Sequence, residues 1–493
     1  MTAAGRRTPT AGWRGYSGGK ALAALVALVL AAGVVLRFCA TSPLWLDEAQ
    51  SVAIARLPLP EMFAALRGDG APPLYYLLLH GWMGLVGTGD WAVRSLSGLF
   101  ATAALPLWYV TARRSNAGLV TLVLAAGNPW LVRYATEARP YTLVVLLVLL
   151  GVLALEGVRR RPGPTRALGL AVIAGLLLLT HYWALFLYAV VGVGLLVSLL
   201  RERSRAAWWS IGGLAAGAVL FLPWLPTFLY QNQHTGTPWT GRSGIQVLLS
   251  VVTEWSAANV PPAAALVLVT WPLMTWGAIA DGRRARLIGA TGAATLLLAF
   301  AVSWLTGSAV VTRYAAVVLP LAVLVLGVGA TLLPRRWMTL VVAGLTVSWL
   351  AVDAVLVARP RTDAAVLADL LNRQVTDADT VVFCPDQLGP DIIRRLRHRP
   401  RLLSFPEQKW PGRLDWTDYR QRIEAEDPAG LARQVAAGRG GGAVWLIPRY
   451  GFRPFGERCQ QLGTALTKAL GPPQQQQMPS RGGSETVWRW APP

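Results

Sequence analysis

"PPLYYLLLHGWMGLVGT" (residues 72–88) is the stretch on which the threading of the whole chain turns. It is apolar, but it has only 17 residues and contains His80 and the three glycines Gly81, Gly84 and Gly87. Counted as a full membrane span, it would put Arg113 and Arg114 on the outer face and invert every later loop against the positive-inside rule. Read instead as a helix lying at the outer surface or re-entering, it leaves eleven spans. They run near residues 20–38, 92–112, 116–132, 140–158, 166–180, 183–200, 207–229, 262–280, 287–305, 315–332 and 338–358.

Composition agrees with a membrane protein. Of 493 residues 54% are hydrophobic, only 14% are charged and 22 are Trp, and apolar runs near the ~20 residues that cross a bilayer recur up to residue 358. The formal charge of +21 does not point to nucleic acid. The basic residues before 358 sit in short loops, where they set topology, and in the tail 14 acids offset 20 Lys and Arg. No nucleic-acid partner is expected. The start, residues 1–36, resembles a secretory signal, with Arg6 and Arg7 resembling a twin-arginine pair, but the many later spans favour an uncleaved first helix. Cys39, Cys384 and Cys459 form no metal-ligand spacing, and Cys384 and Cys459 can pair in an oxidising compartment.

Arginine clusters then place one set of loops in the cytoplasm. They are Arg6, Arg7, Arg14 and Lys20; Arg113 and Arg114; Arg159 to Arg161 with Arg166; Arg201, Arg203 and Arg205; Arg283, Arg284 and Arg286; and Arg335 and Arg336. An odd number of spans puts residues 1–19 inside and 359–493 outside. Seven acids (Asp47, Glu48, Glu61, Asp69, Asp90, Glu137, Glu254) fall at the outer face, against Glu156, Glu202 and Asp281 inside. Acids contribute little to topology, so a polar site on the outer face is the expected cause.

The expected architecture is a polytopic α-helical membrane module, 20–358, with a first outer loop at 39–91, followed by a small extracytoplasmic α/β domain, 359–493. In that domain "DTVVFC", "RLLSF", "GAVWLIP" and "ETVWRW" read as strands, and "GPDIIRRLRH", "DPAGLARQVAA" and 455–470 as helices. "GRGGG" and "PPQQQQ" read as loop punctuation. "DAD" (377–379) matches a short motif by which nucleotide-sugar enzymes hold a metal, but it precedes a strand on the outer side, where such donors are scarce.

Five motifs carry candidate chemistry. In "LWLDEAQS" (44–51), Leu44, Trp45 and Leu46 hold Asp47 and Glu48 at the interface, where desolvation would favour a general base. "GDGAPPLYY" sets Asp69 in a Gly-rich turn, which simple turn chemistry also explains. "YATEARPYTL" (134–143) gathers Glu137, Arg139 and Tyr141, with a local Glu137–Arg139 ion pair as the competing reading. "THYW" (180–183) offers His181 and Tyr182. "VTRYAAVVLP" (311–320) puts Arg313 and Tyr314 at the mouth of a span, suited either to phosphate or to snorkelling.

These motifs, in this order, resemble the bacterial membrane glycosyltransferases of the GT-C superfamily, similar to protein O-mannosyltransferases and the lipid A aminoarabinose transferase, over most of residues 20–330. The resemblance implies a sugar donor carried on polyprenyl phosphate, used at the outer face of the bacterial inner membrane, and inverting transfer to a hydroxyl on a polysaccharide, glycolipid or protein. Asp47 matches the family's catalytic aspartate and Glu48 its neighbouring acid. Relatives often carry His or Glu-Lys before the Pro-Pro pair, touching metal or phosphate; here Gly70 and Ala71 stand there, which puts a divalent metal in question. Glu48, Asp69, Glu137, Arg139, Tyr141, His181, Tyr182, Arg313 and Tyr314 are then expected to contact substrate. A transporter or flippase would explain the Gly/Pro-rich spans, but it predicts charges at the bilayer midplane. A noncatalytic assembly protein leaves the outer acids unexplained.

Overall fold

The computed structural model describes all residues except 1–16, 237–243, 258–260, 281, 309, 451, 453–454 and 481–482. The expected placements of Arg6, Arg7, Arg14 and Asp281 lie outside the described residues. The membrane module runs α1 (Ser17–Leu36), α2 (Leu46–Ala55), α3 (Leu59–Asp69), α4 (Leu74–Val86), α5 (Asp90–Ala112), α6 (Gly118–Gly127), α7 (Pro129–Ala135), α8 (Tyr141–Arg160), α9 (Pro164–Leu178), α10 (Ala184–Glu202), α11 (Arg205–Phe221) and α12 (Leu225–His234). It continues with α13 (Gln246–Trp255), α14 (Val267–Ala280), α15 (Arg283–Thr306), α16 (Leu319–Thr331) and α17 (Arg335–Ala358).

Among the described residues six helices are long and apolar enough to cross a membrane, and six apolar helices are shorter. The long ones and five of the short ones coincide with the eleven expected spans; the remaining short one is α4. Its 13 residues rise about 20 Å at 1.5 Å each, short of the ~30 Å hydrocarbon core. One face, Tyr75, Tyr76, Leu79 and Met83, is buried, and Leu85 is exposed. The expected span at 116–132 is broken. The Asn128 side chain accepts from Leu131 N at 3.2 Å, Pro129 restarts the chain as α7, and the Asn128 amide donates to Trp255 O at 2.9 Å. Close packing elsewhere depends on small residues. A Cβ on Gly213 or Gly217 of α11 would lie 2.8 Å from the α9 carbonyl of Ala167 or Ala171, so only glycine allows that approach.

Two charged faces result. At one end Glu156 holds Arg114 and Arg284 and Glu202 meets Arg283 at 3.3 Å, joining the ends of α5, α8 and α10 to the start of α15. Asp47, Glu48, Asp69, Glu137, Arg139 and Arg313 gather at the other.

The C-terminal part places α18 (Ala364–Gln374), α19 (Gly389–Ile393), α20 (Tyr419–Ala425), α21 (Pro428–Ala437) and α22 (Arg458–Leu470) around five strands. The strands are β1 (Thr380–Cys384), β2 (Arg401–Ser404), β3 (Val444–Pro448), β4 (Gln474–Ser480) and β5 (Gly483–Trp490), in the order β2-β1-β3-β5-β4. The first three are parallel, with Val382 opposite Leu403 and Leu446, and β5 and β4 add antiparallel. Alternation along β1 sends Val382 and Cys384 to a core shared with α21 and α22, and Val381 and Phe383 to one shared with α18. The Gln run is thus an edge strand rather than a loop. Cys384 and Cys459 form a disulfide that ties β1 to α22. The "DAD" segment is structural: Asp379 accepts from Ala443 N at 2.7 Å and Thr376 N at 3.0 Å.

This domain rests on the acid-rich face. Gln50 pairs with both backbone groups of Leu414 at 2.9 Å, Trp416 N donates to Gly68 O at 2.8 Å and Asp418 N to His234 O at 2.8 Å.

Candidate active site at the acid-rich face

The site begins at α2, whose first turn carries Asp47 and Glu48 where the helix dipole favours negative charge. Residues at i, i+3 and i+4 share a helix face, so Asp47, Gln50 and Ser51 look one way and Glu48 another. Glu48 is wholly buried. It is gripped by Arg94, with Nε to Oε1 at 2.7 Å and Nη2 to Oε2 at 2.6 Å, and accepts a third bond from Ala138 N at 2.9 Å. Burial alone would raise its pKa, but the Arg94 bonds and charge, the Arg361 charge and the Ala138 amide hold it below the ordinary carboxylate value. The structure therefore places Glu48 beneath the site as the link between α2, α5 and the 134–143 turn, not facing a ligand.

Asp47 remains partly accessible, and its Oδ2 lies 3.0 Å from Arg313 Nη2. Arg313 stands in the turn before α16, 5.6 Å over Trp45 and 5.8 Å over Tyr314. From the other side Arg139 donates to Ser51 Oγ at 2.9 Å and reaches the Asp47 carbonyl at 3.5 Å. The Asp47 carboxylate is thus paired with Arg313, while the Arg139 guanidinium holds the backbone and Ser51 of the same helix turn. An aromatic wall completes the arrangement, with ring centroids 5.9 Å apart for Tyr141 and His181 and 5.2 Å for His181 and Tyr314. The Tyr141 hydroxyl is buried without a hydrogen-bond partner among the described residues. His181 Nδ1 accepts from Trp183 N at 3.2 Å, which assigns the proton to Nε2. Burial, then the Arg139 and Arg313 charges, push its pKa down to about 3, so the ring is a neutral donor at neutral pH.

Asp69 ends α3, where Gly70 at φ 80° supplies the left-handed residue that closes the helix. It accepts from Tyr76 Oη at 2.6 Å and Gln50 Nε2 at 3.0 Å. Burial raises its pKa against the opposing effects of Tyr76, Arg139 and Gln50.

Two expected contacts lie elsewhere. Glu137 is buried against Arg133 at 2.6 Å and Arg361 at 3.9 Å, so the local pair with Arg139 does not form. Tyr182 turns to α11 and α12, where it bonds Gln231 and accepts from Trp224 Nε1 at 2.8 Å. The sequence reading missed Arg94, Gln50, Tyr76 and Arg361, which organise the site. Arg94 carried a signal, being a charge just inside an expected span; Arg361 carried none, because its partners Thr136 and Glu137 are more than two hundred residues away.

Among the described residues no three His, Cys, Asp or Glu side chains gather as a metal site. Asp47 faces Arg313, and Asp69 accepts from Tyr76 and Gln50. These donor sets do not fit a divalent cation.

Residues 70–226 match the family model for dolichyl-phosphate-mannose-protein mannosyltransferase. Among solved structures, the crystal structure of ArnT from Cupriavidus metallidurans in the apo state is similar at TM-score 0.63 and 16% identity, covering 96% of this chain and 98% of that one. The same protein bound to undecaprenyl phosphate gives 0.59 and 14%, again covering 96% and 98%. The archaeal oligosaccharyltransferase AglB from Archaeoglobus fulgidus, in complex with an inhibitory peptide and a dolichol-phosphate, gives 0.55 and 11%, covering 96% of this chain and 74% of that one. No curated protein matches the chain. The resemblance to GT-C membrane glycosyltransferases is borne out: the fold is theirs, the chain is a multi-pass membrane protein, and the matches support a glycosyltransferase role.

Proposed function

We propose that this protein transfers a sugar from a polyprenyl-phosphate donor to an acceptor hydroxyl, with inversion at the anomeric carbon, at the extracytoplasmic face of a bacterial inner membrane. The observation that carries the reading is the Asp47 carboxylate 3.0 Å from Arg313, on the helix turn that Arg139 holds from the opposite side. A glycosyl phosphate needs a base for the acceptor proton and cations for the leaving group, and this corner of the fold supplies both. The arriving phosphate competes for Arg313 and releases Asp47. The acceptor hydroxyl then gives its proton to Asp47 as its oxygen bonds to the anomeric carbon through an oxocarbenium-like state. The carbon–oxygen bond to phosphate breaks, and the phosphate departs with both electrons, stabilised by Arg313 and Arg139. Neutral His181 can donate a further hydrogen bond without adding charge. Glu48 and Asp69 position the elements around this centre.

The undecaprenyl phosphate and dolichol-phosphate bound by the two similar proteins support the donor class. The Cys384–Cys459 disulfide supports an oxidising compartment for the C-terminal domain. The test is to incubate the purified chain with a panel of polyprenyl-phosphate sugars and follow free polyprenyl phosphate. Release with at least one donor, dependent on acceptor or water, is expected; neither release nor binding of any donor would overturn the reading.

A further inference from the structure

A cleft of about 630 Å³ opens between α8, α9, α10, α11 and α15, running from Leu177 and Ala184 at the helix ends nearest His181 to an arginine-rich rim at the end of the bundle opposite Asp47. Its interior is apolar, with Val148, Leu155, Leu170, Leu177 and Leu187 among the lining residues. Its rim is not: Arg114, Arg159, Arg160, Arg283 and Arg284 stand there against Glu156 and Glu202 among the described residues. Glu156 takes Arg114 and Arg284, and Glu202 takes Arg283. Arg159 and Arg160 are exposed and make no ion pair among the described residues. The cleft thus joins a hydrocarbon-lined slot to two unneutralised guanidiniums at the level where lipid head groups lie.

We propose that this cleft binds an anionic phospholipid, its acyl chain between α8, α9, α10 and α15 and its phosphodiester held by Arg159 and Arg160. Three features select this occupant. Guanidinium forks match phosphate oxygens in geometry and charge. An apolar slot has no partners for ordered water and favours a hydrocarbon chain. The arginine rim lies at the end away from Arg313 and Arg139, so a glycosyl donor whose phosphate must reach those residues cannot set that phosphate on Arg159 and Arg160. The ligand is therefore a second lipid, drawn from the leaflet on the arginine-rich side.

Native mass spectrometry of the full chain in detergent, titrated with phosphatidylglycerol or phosphatidylcholine, tests this. The wild type is expected to retain phosphatidylglycerol preferentially. Arg159→Ala with Arg160→Ala, both on the surface, is expected to weaken phosphatidylglycerol on the order of thirtyfold, near fivefold per arginine, and to leave phosphatidylcholine unchanged. Gly194 lines the cleft and a Cβ there meets nothing within 4 Å, so Gly194→Trp should fill the slot and reduce retention of both lipids. Equal retention of the two lipids by wild type, phosphatidylglycerol binding indifferent to the arginine pair, or one-for-one displacement of phosphatidylglycerol by undecaprenyl phosphate would each overturn the proposal. None of these readouts requires turnover, so they stand apart from the proposed transfer reaction.

Discussion

Asp47 and Glu48 are neighbours with opposite environments, and the difference follows from one residue of helix rotation. Glu48 is buried with its charge fully matched, so removing that charge strands Arg94. Glu48→Gln is expected to lower stability by about 3–5 kcal/mol, read as the unfolding midpoint in detergent, while Asp47→Asn should leave it within about 1 kcal/mol. Arg313 is expected to act on the donor. Arg313→Ala should raise the donor KM at least tenfold, and Arg313→Lys, which keeps charge but loses the fork, should fall between; a KM equal to wild type in both would remove Arg313 from the phosphate site. The sequence pointed to the acids at 47 and 48 together as candidates for a polar site, but not to which of them faces outward. That was decided by Arg94, 46 residues away.

At the scale of elements, what the sequence left unread had local causes. The span at 116–132 is apolar enough on average to pass as one crossing, so hydropathy alone did not register that the Asn128–Pro129 breaker splits it. β4 is a run of glutamines without apolar alternation, and its strand identity comes from pairing with β5. The α4 segment was legible because length and charge balance both opposed a crossing. The disulfide was open on sequence alone, since pairing needs the ends of β1 and α22 brought together. Closing 75 residues, it is expected to stabilise the C-terminal domain by about 4 kcal/mol. Cys459→Ser in the full chain should speed hydrogen exchange of the β1 amides and leave α8 unaffected; unchanged β1 exchange would contradict this.

Over the whole molecule, the two-faced distribution of charge was readable from arginine counting, and the structure ties part of the arginine-rich set together through Glu156 and Glu202. The docking of the C-terminal domain through Gln50, Leu414 and Arg361 was not readable, because it depends on contacts across hundreds of residues. That docking brings the domain's own titration close to the site. Burial, opposed by Tyr419 for Asp386 and by Thr362 for Asp391, pushes both pKa values up to about 7. A raised carboxyl pKa contributes stability that is fully present below about pH 4 and lost as pH rises through 7. The domain should therefore be more stable at pH 5 than at pH 8, and Asp386→Asn should flatten that dependence, as read by β1 hydrogen exchange at the two pH values.

The central claim is that Asp47 takes the acceptor proton. Single-turnover transfer by Asp47→Asn, with a donor the wild type uses and binding measured alongside, tests it most directly. Transfer is expected to fall by about 10²–10⁴-fold with donor affinity kept within a few-fold; transfer near the wild-type rate would contradict the account.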